Sequence, residues 1–207
     1  MAHFRSVRRR SSRAGTTGLS ALALLAVAAP ALAHTNRDVG AGLVSGLLHP
    51  LTGLDHLLAM VAVGIWGTQL GAPAVWLLPL TFPLVMSFGG VLGVRAVPLP
   101  AVEIGVAASA AVLGLMILLS ARPLLSVAAG IVGAFAIFHG HAHGAELPAA
   151  AEPLAYGLGF VLVTGLLHAA GIAIGLLDRW PTGALALRGL GALIGAIGLY
   201  LLGGLLL

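Results

Sequence analysis

From residue 39 to the C-terminus, apolar runs of membrane-crossing length follow one another with only short polar interruptions. A run of this kind must satisfy its backbone hydrogen bonds internally once it leaves water, which restricts it to helices or a closed barrel. Runs of about 20 apolar residues are of helix length, whereas a barrel strand needs about half as many. The runs fall at residues 39–69, 74–94, 101–120, 123–141, 153–177 and 184–206. They are separated by Gly71-Ala72-Pro73, residues 95–100, Arg122-Pro123, the polar stretch 141–153 and residues 178–183. The expected fold is therefore all-α, a polytopic transmembrane helical bundle of about six spans. Composition agrees, with 59% hydrophobic and 8% charged residues and a mean hydropathy of +1.09, where soluble domains carry about 25% charged residues. The 30 glycines suit helices that approach closely in lipid.

The first 33 residues read differently. Arg8-Arg9-Arg10 supplies a basic segment, residues 19–29 an apolar one, and Ala31-Leu32-Ala33 an A-x-A cleavage site, the three parts of a secretory signal peptide. The other reading is an uncleaved first transmembrane helix, although the apolar segment falls short of the about 20 residues a span needs. The expected division is residues 1–33 as signal peptide and 34–207 as one transmembrane domain. All ten basic residues are Arg, and Arg5, Arg8, Arg9, Arg10 and Arg13 lie in the removable segment. The net charge of +4 therefore says nothing about nucleic acid. With an external mature N-terminus, Arg122, Arg179 and Arg188 would face the cytoplasm against Arg37 and Arg95 outside, obeying the positive-inside rule narrowly. This places the chain in the bacterial cytoplasmic membrane with a periplasmic mature N-terminus.

The first run is too long to be one straight span. Residues 39–69 would extend about 46 Å at about 1.5 Å per residue, against a hydrocarbon core of about 30 Å. Pro50 removes a helical hydrogen bond and Gly53 weakens the next turn, so a break is expected there, with a short segment over 39–49 and a full helix from near Leu51. Irregular backbone at membrane depth is tolerated only where it is buried in protein or lines a wet cavity. A weak echo, Ser45-Gly46-Leu47-Leu48-His49 against Thr164-Gly165-Leu166-Leu167-His168, is short enough to arise by chance in a chain of this composition.

Few ionisable groups fall within or beside the spans: His49, Asp55, His56, Glu103, His139, His141, His143, Glu146 and His168. A charged residue costs about 2.5–3.5 kcal/mol at a helix centre, so such residues are functional candidates by default. Each has a plainer reading taken alone. Glu103 can favour a helix N-terminus, His168 can be an interhelical donor, and residues 141–146 can be a solvated loop. Together they gather in the outer half of the six-span topology, while the inner half holds almost none. There is no cysteine, so any metal must be held by nitrogen and oxygen, which suits Ni2+, Co2+ or Zn2+. His49 and His56 would stand about 10 Å apart on an unbroken helix and can share one ion only if the backbone folds between them. Asp55 can instead orient an imidazole through its other nitrogen. The alternation His139-Gly140-His141-Ala142-His143 suits an unwound helix end better than one helical face.

These motifs resemble those of the HupE/UreJ family of hydrogenase and urease accessory membrane proteins. The specific part is His49-Pro50-x-x-Gly53-x-Asp55-His56-x-x-x-Met60. Pro83-x-x-Met86-x-x-Gly89, Pro100-x-x-Glu103 followed by Ser109, and Phe138-His139-Gly140-His141-Ala142-His143-Gly144-x-Glu146 follow in order, as does Thr164-x-x-x-His168-x-x-Gly171. The resemblance runs from about His34 to the C-terminus. It implies a nickel/cobalt permease with no prosthetic group, a divalent ion as cargo, lipid around it, and maturation proteins of a hydrogenase or urease as partners. The alternative is a non-transporting membrane protein that binds or delivers metal. An intramembrane metalloenzyme lacks support, since no H-E-x-x-H run is present, and Gly-rich helices with clustered carboxylates argue against a bis-histidine haem protein.

Overall fold

The computed structural model describes residues 42–147 and 153–207, and within them every regular element is helical. The expected signal segment, its cleavage after Ala33 and the first residues of the broken span lie outside the described residues. Helix α1 (Leu43–Leu48) runs into a 3-10 turn, His49–Leu51, and is followed by α2 (Leu54–Leu70), α3 (Ala74–Val94) and α4 (Val102–Leu118). Then come α5 (Leu125–Ala145), α6 (Pro153–Gly175), a second 3-10 turn (Leu176–Arg179) and α7 (Pro181–Leu206).

Among the described residues, α3, α5, α7 and the continuous stretch Pro153–Arg179 are long and apolar enough to cross a membrane. The pair Leu43–Leu51 and Leu54–Leu70, bent by 81° across Thr52 and Gly53, makes a fifth if counted as one span. The expected run 101–120 forms only the 17 residues of α4, about 26 Å at about 1.5 Å per residue.

The helices are apolar all round, as lipid exposure requires. Trp76, Leu80, Leu84 and Phe88 form an exposed stripe on α3, and Leu154, Leu158, Leu162 and Leu166 another on α6. Six polar side chains of the described residues lie inside instead: Gln69, Ser109, Thr164, His139, His143 and His168 are all buried. Helix α2 is the central element, packed against α6, α4 and α3, while α3 pairs with α5 and α4 with α7. With no hydrophobic drive between helices in lipid, close backbone approach supplies the contact. A Cβ added at Gly140 of α5 would run into the Met86 carbonyl of α3, and one at Gly64 of α2 into the His168 carbonyl of α6.

One expectation is corrected here. Residues 139–143 do not form an unwound helix end, because α5 continues as regular helix to Ala145. His139 and His143 are then one turn apart on a single buried face, and His141 points elsewhere. On the adjacent face, Gly140 and Gly144 let the α3 backbone approach.

Candidate metal centre

The site begins where α1 ends. Gly53 is the extended N-cap of α2 (φ −92°, ψ 115°), and the Thr52 hydroxyl donates to the His49 carbonyl at 2.7 Å. This fold-back puts Asp55 in the first turn of α2, where free backbone N–H groups favour a carboxylate. The Asp55 carboxylate accepts the His56 backbone N–H at 2.8 Å and lies 2.7 Å from His56 Nδ1. An ionised carboxylate only accepts, so Nδ1 carries the proton and Nε2 keeps the lone pair. His56 Nε2 is buried and has no protein partner.

The same reasoning assigns His139. The Ser109 hydroxyl of α4 donates to the Val106 carbonyl at 2.6 Å, which commits its proton. Its oxygen, 2.8 Å from His139 Nε2, must then accept from that nitrogen. The free lone pair of His139 is on Nδ1, which is buried without a protein partner. His143, one turn on, has neither ring nitrogen partnered. An unmet buried polar atom costs about 1–3 kcal/mol, so this concentration of open donors marks a binding site rather than a packing accident.

Two groups of ligand atoms result, each with all members within 4.8 Å of one another: His56, His139 and His143; and His49, His143 and Glu146. The first is the drier. The second lies nearer the surface, with His49 Nε2 3.3 Å from Glu146 Oε2 and their side chains 28% and 55% exposed. The His49 hydrogen bond holds the Glu146 carboxyl below the usual carboxylate range. His143 belongs to both groups, its ring centroid 4.8 Å from that of His49 and 4.2 Å from that of His56. Phe160 and Tyr156 of α6 wall the site, with Phe160 4.2 Å from His143 and Tyr156 5.9 Å from His49 between ring centroids.

The other candidates stand apart. Glu103 is in the first turn of α4 but exposed, and belongs to neither group. His141 places Nε2 2.8 Å from the Val97 carbonyl in the α3–α4 connection. His168 is buried deeper, beyond Phe82. Asp55 touches the His56 ring instead of joining a trio. Sequence reasoning noted Ser109 only as part of a motif and passed over Phe82, Tyr156 and Phe160. The last two share a one-turn spacing with Thr164 and His168 along α6, a signal readable from the sequence.

A cluster of imidazoles with unpartnered ring nitrogens and adjacent carboxylates, among apolar helices of bilayer length, defines a polytopic helical membrane protein with a polar site in its core. The family profile described as HupE / UreJ protein matches residues 22–201, so the chain belongs to the HupE/UreJ family. It is 43% identical over 190 residues to Protein HupE of Rhizobium leguminosarum bv. viciae, covering 91% of this chain and 97% of that protein. No solved structure matches it.

Proposed function

We propose that the protein is a secondary permease for Ni2+ and/or Co2+ in the bacterial cytoplasmic membrane, supplying the maturation of a hydrogenase or urease. In this reading α4 and the bent pair Leu43–Leu51 and Leu54–Leu70 each cross the bilayer, giving six spans, with the break near Pro50 and Gly53 lining the ion path. The mature N-terminus and the histidine cluster face the periplasm.

The observation that carries the reading is the sharing of His143 between two donor groups. A neutral imidazole offers one lone pair, so His143 serves one group at a time. An ion captured by His49, His143 and Glu146 at the mouth is handed to His56, His139 and His143 as the shared ring turns. His49 and His56 thus act in succession instead of closing on one ion together. The exposed carboxylate of Glu146 attracts the dication, and the neutral inner trio, charge-balanced only through Asp55 behind His56, keeps affinity modest enough for release. Nitrogen and oxygen donors without thiolate suit nickel and cobalt, and zinc by the same chemistry.

A non-transporting metal-binding protein is the second reading, and the same buried His139 and His143 (0% and 5% exposed) would serve it. Flux of Ni2+, Co2+ and Zn2+ into proteoliposomes holding the purified protein separates the two. Time-dependent, competable accumulation supports the permease. Stoichiometric binding with no accumulation supports the binding protein.

A further inference from the structure

Beside the His56, His139 and His143 trio lies a buried aromatic side chain. Phe82 of α3 is fully buried, and its ring centroid lies 5.4 Å from that of His139 and 5.4 Å from that of His168, in edge geometry with both. His168 is 2% exposed and neither of its ring nitrogens has a protein partner. One turn earlier on the same face of α6, the Thr164 hydroxyl is fully buried and likewise without a partner. Phe82 lies between Pro79 and Pro83 inside α3. Pro83 has no N–H to offer the Pro79 carbonyl four residues back, and that carbonyl sits beside His168, outside hydrogen-bond geometry.

We propose that Phe82 is the barrier between two ion-binding stations, the His56, His139 and His143 trio and, past it, an inner station formed by His168, Thr164 and the Pro79 carbonyl. The inference rests on the permease reading and adds to it the order of the path. The ring is in edge contact with both imidazoles, so an ion moving from one to the other requires the ring to move. The paired prolines, which remove two helical hydrogen bonds next to Phe82, give α3 the local freedom to swing it. At the opposite end of the bundle, the ends of α2, α3 and α6 and the turn after α6 border an open cavity of about 280 Å³, lined by Thr68, Val75, Gly175, Asp178 and Arg179 among others. This provides the exit, with a carboxylate at its rim.

The chain has no cysteine, so single reporters can be introduced cleanly. Thr164→Cys is labelled with a charged, membrane-impermeant methanethiosulfonate applied from the histidine-cluster side, in chains carrying Phe82, Phe82→Leu or Phe82→Ala. Phe82→Leu retains most of the buried volume and guards against misfolding, and a His49→Cys reporter at the mouth should label at one rate in all three backgrounds. Labelling of Thr164→Cys is expected to rise about ten-fold or more with Ala, the equivalent of about 1.4 kcal/mol, and to a lesser extent with Leu. Equal rates in the three backgrounds overturn the barrier. Equilibrium Ni2+ binding to His168→Ala is expected to fall by one ion per chain, and unchanged stoichiometry overturns the inner station. Labelling that depends on residue 82, in a protein that gives no Ni2+ flux, upholds the barrier while the permease reading fails.

Discussion

The bond made by one nitrogen of a neutral imidazole decides where the lone pair of the other points. In His56 that bond goes to Asp55 and in His139 to Ser109, so two residues outside the trios set which atoms can meet an ion. Asp55→Asn and Ser109→Ala are each expected to weaken Ni2+ binding by about 10–100-fold with the protein still folded, measured by titration calorimetry in detergent. Unchanged affinity in both would show that the tautomers are not set this way. Sharing makes a sharper prediction for His143. His143→Ala should abolish accumulation, whereas His49→Ala, which disables only the mouth group, should reduce it while leaving Ni2+ binding at the His56, His139 and His143 trio unchanged. His141→Ala and Glu103→Ala should keep near-normal Ni2+ uptake in cells lacking other importers, since neither side chain belongs to a donor group. The candidate list was readable from residue type alone. Which of them meet was not, because Ser109 is an ordinary small helical residue until His139 from a helix 30 positions away is set against it.

Helices report themselves through apolar length and breakers, and here the boundaries agree with the sequence pattern to within a few residues. The pattern failed where period mattered. Histidines at every second position in 139–143 suggest extended or unwound backbone, yet Gly140 and Gly144 are packing faces for α3 and the helix continues through them. Gly140→Leu should push α3 and α5 apart, lower the thermal midpoint and impair Ni2+ binding through displacement of His139 and His143. A stable variant with normal binding would contradict that role. At the other end of the bundle, the exposed carbonyls that follow α4 are met by side chains. Trp66 Nε1 donates to the Ala121 carbonyl and Arg188 Nε to the Leu118 carbonyl, both at 2.9 Å. Trp66→Phe removes one of these donors with little change in shape. It is expected to destabilise the protein by about 1–3 kcal/mol without altering metal affinity, a split checked by thermal unfolding beside a binding isotherm.

Taken whole, the molecule places its histidine and carboxylate cluster at one end and Arg122, Asp178, Arg179 and Arg188 toward the other. The proposed orientation predicts that an impermeant thiol reagent added to intact spheroplasts labels a cysteine at position 146 but not one at 178. The reverse pattern would invert the direction of transport. Apolar run length, the lack of cysteine and the spaced histidines determined by themselves an all-helical membrane chain with a nitrogen and oxygen donor set, because bilayer thickness and donor chemistry act on residue type and count alone. Only the tertiary structure decided which donors meet. An 81° bend sets both His49 and His56 against His143, and the packing of α3 on α5 and α6 sets Phe82 against both His139 and His168. Such neighbours come from different helices, so their meeting depends on packing angles that no local pattern encodes.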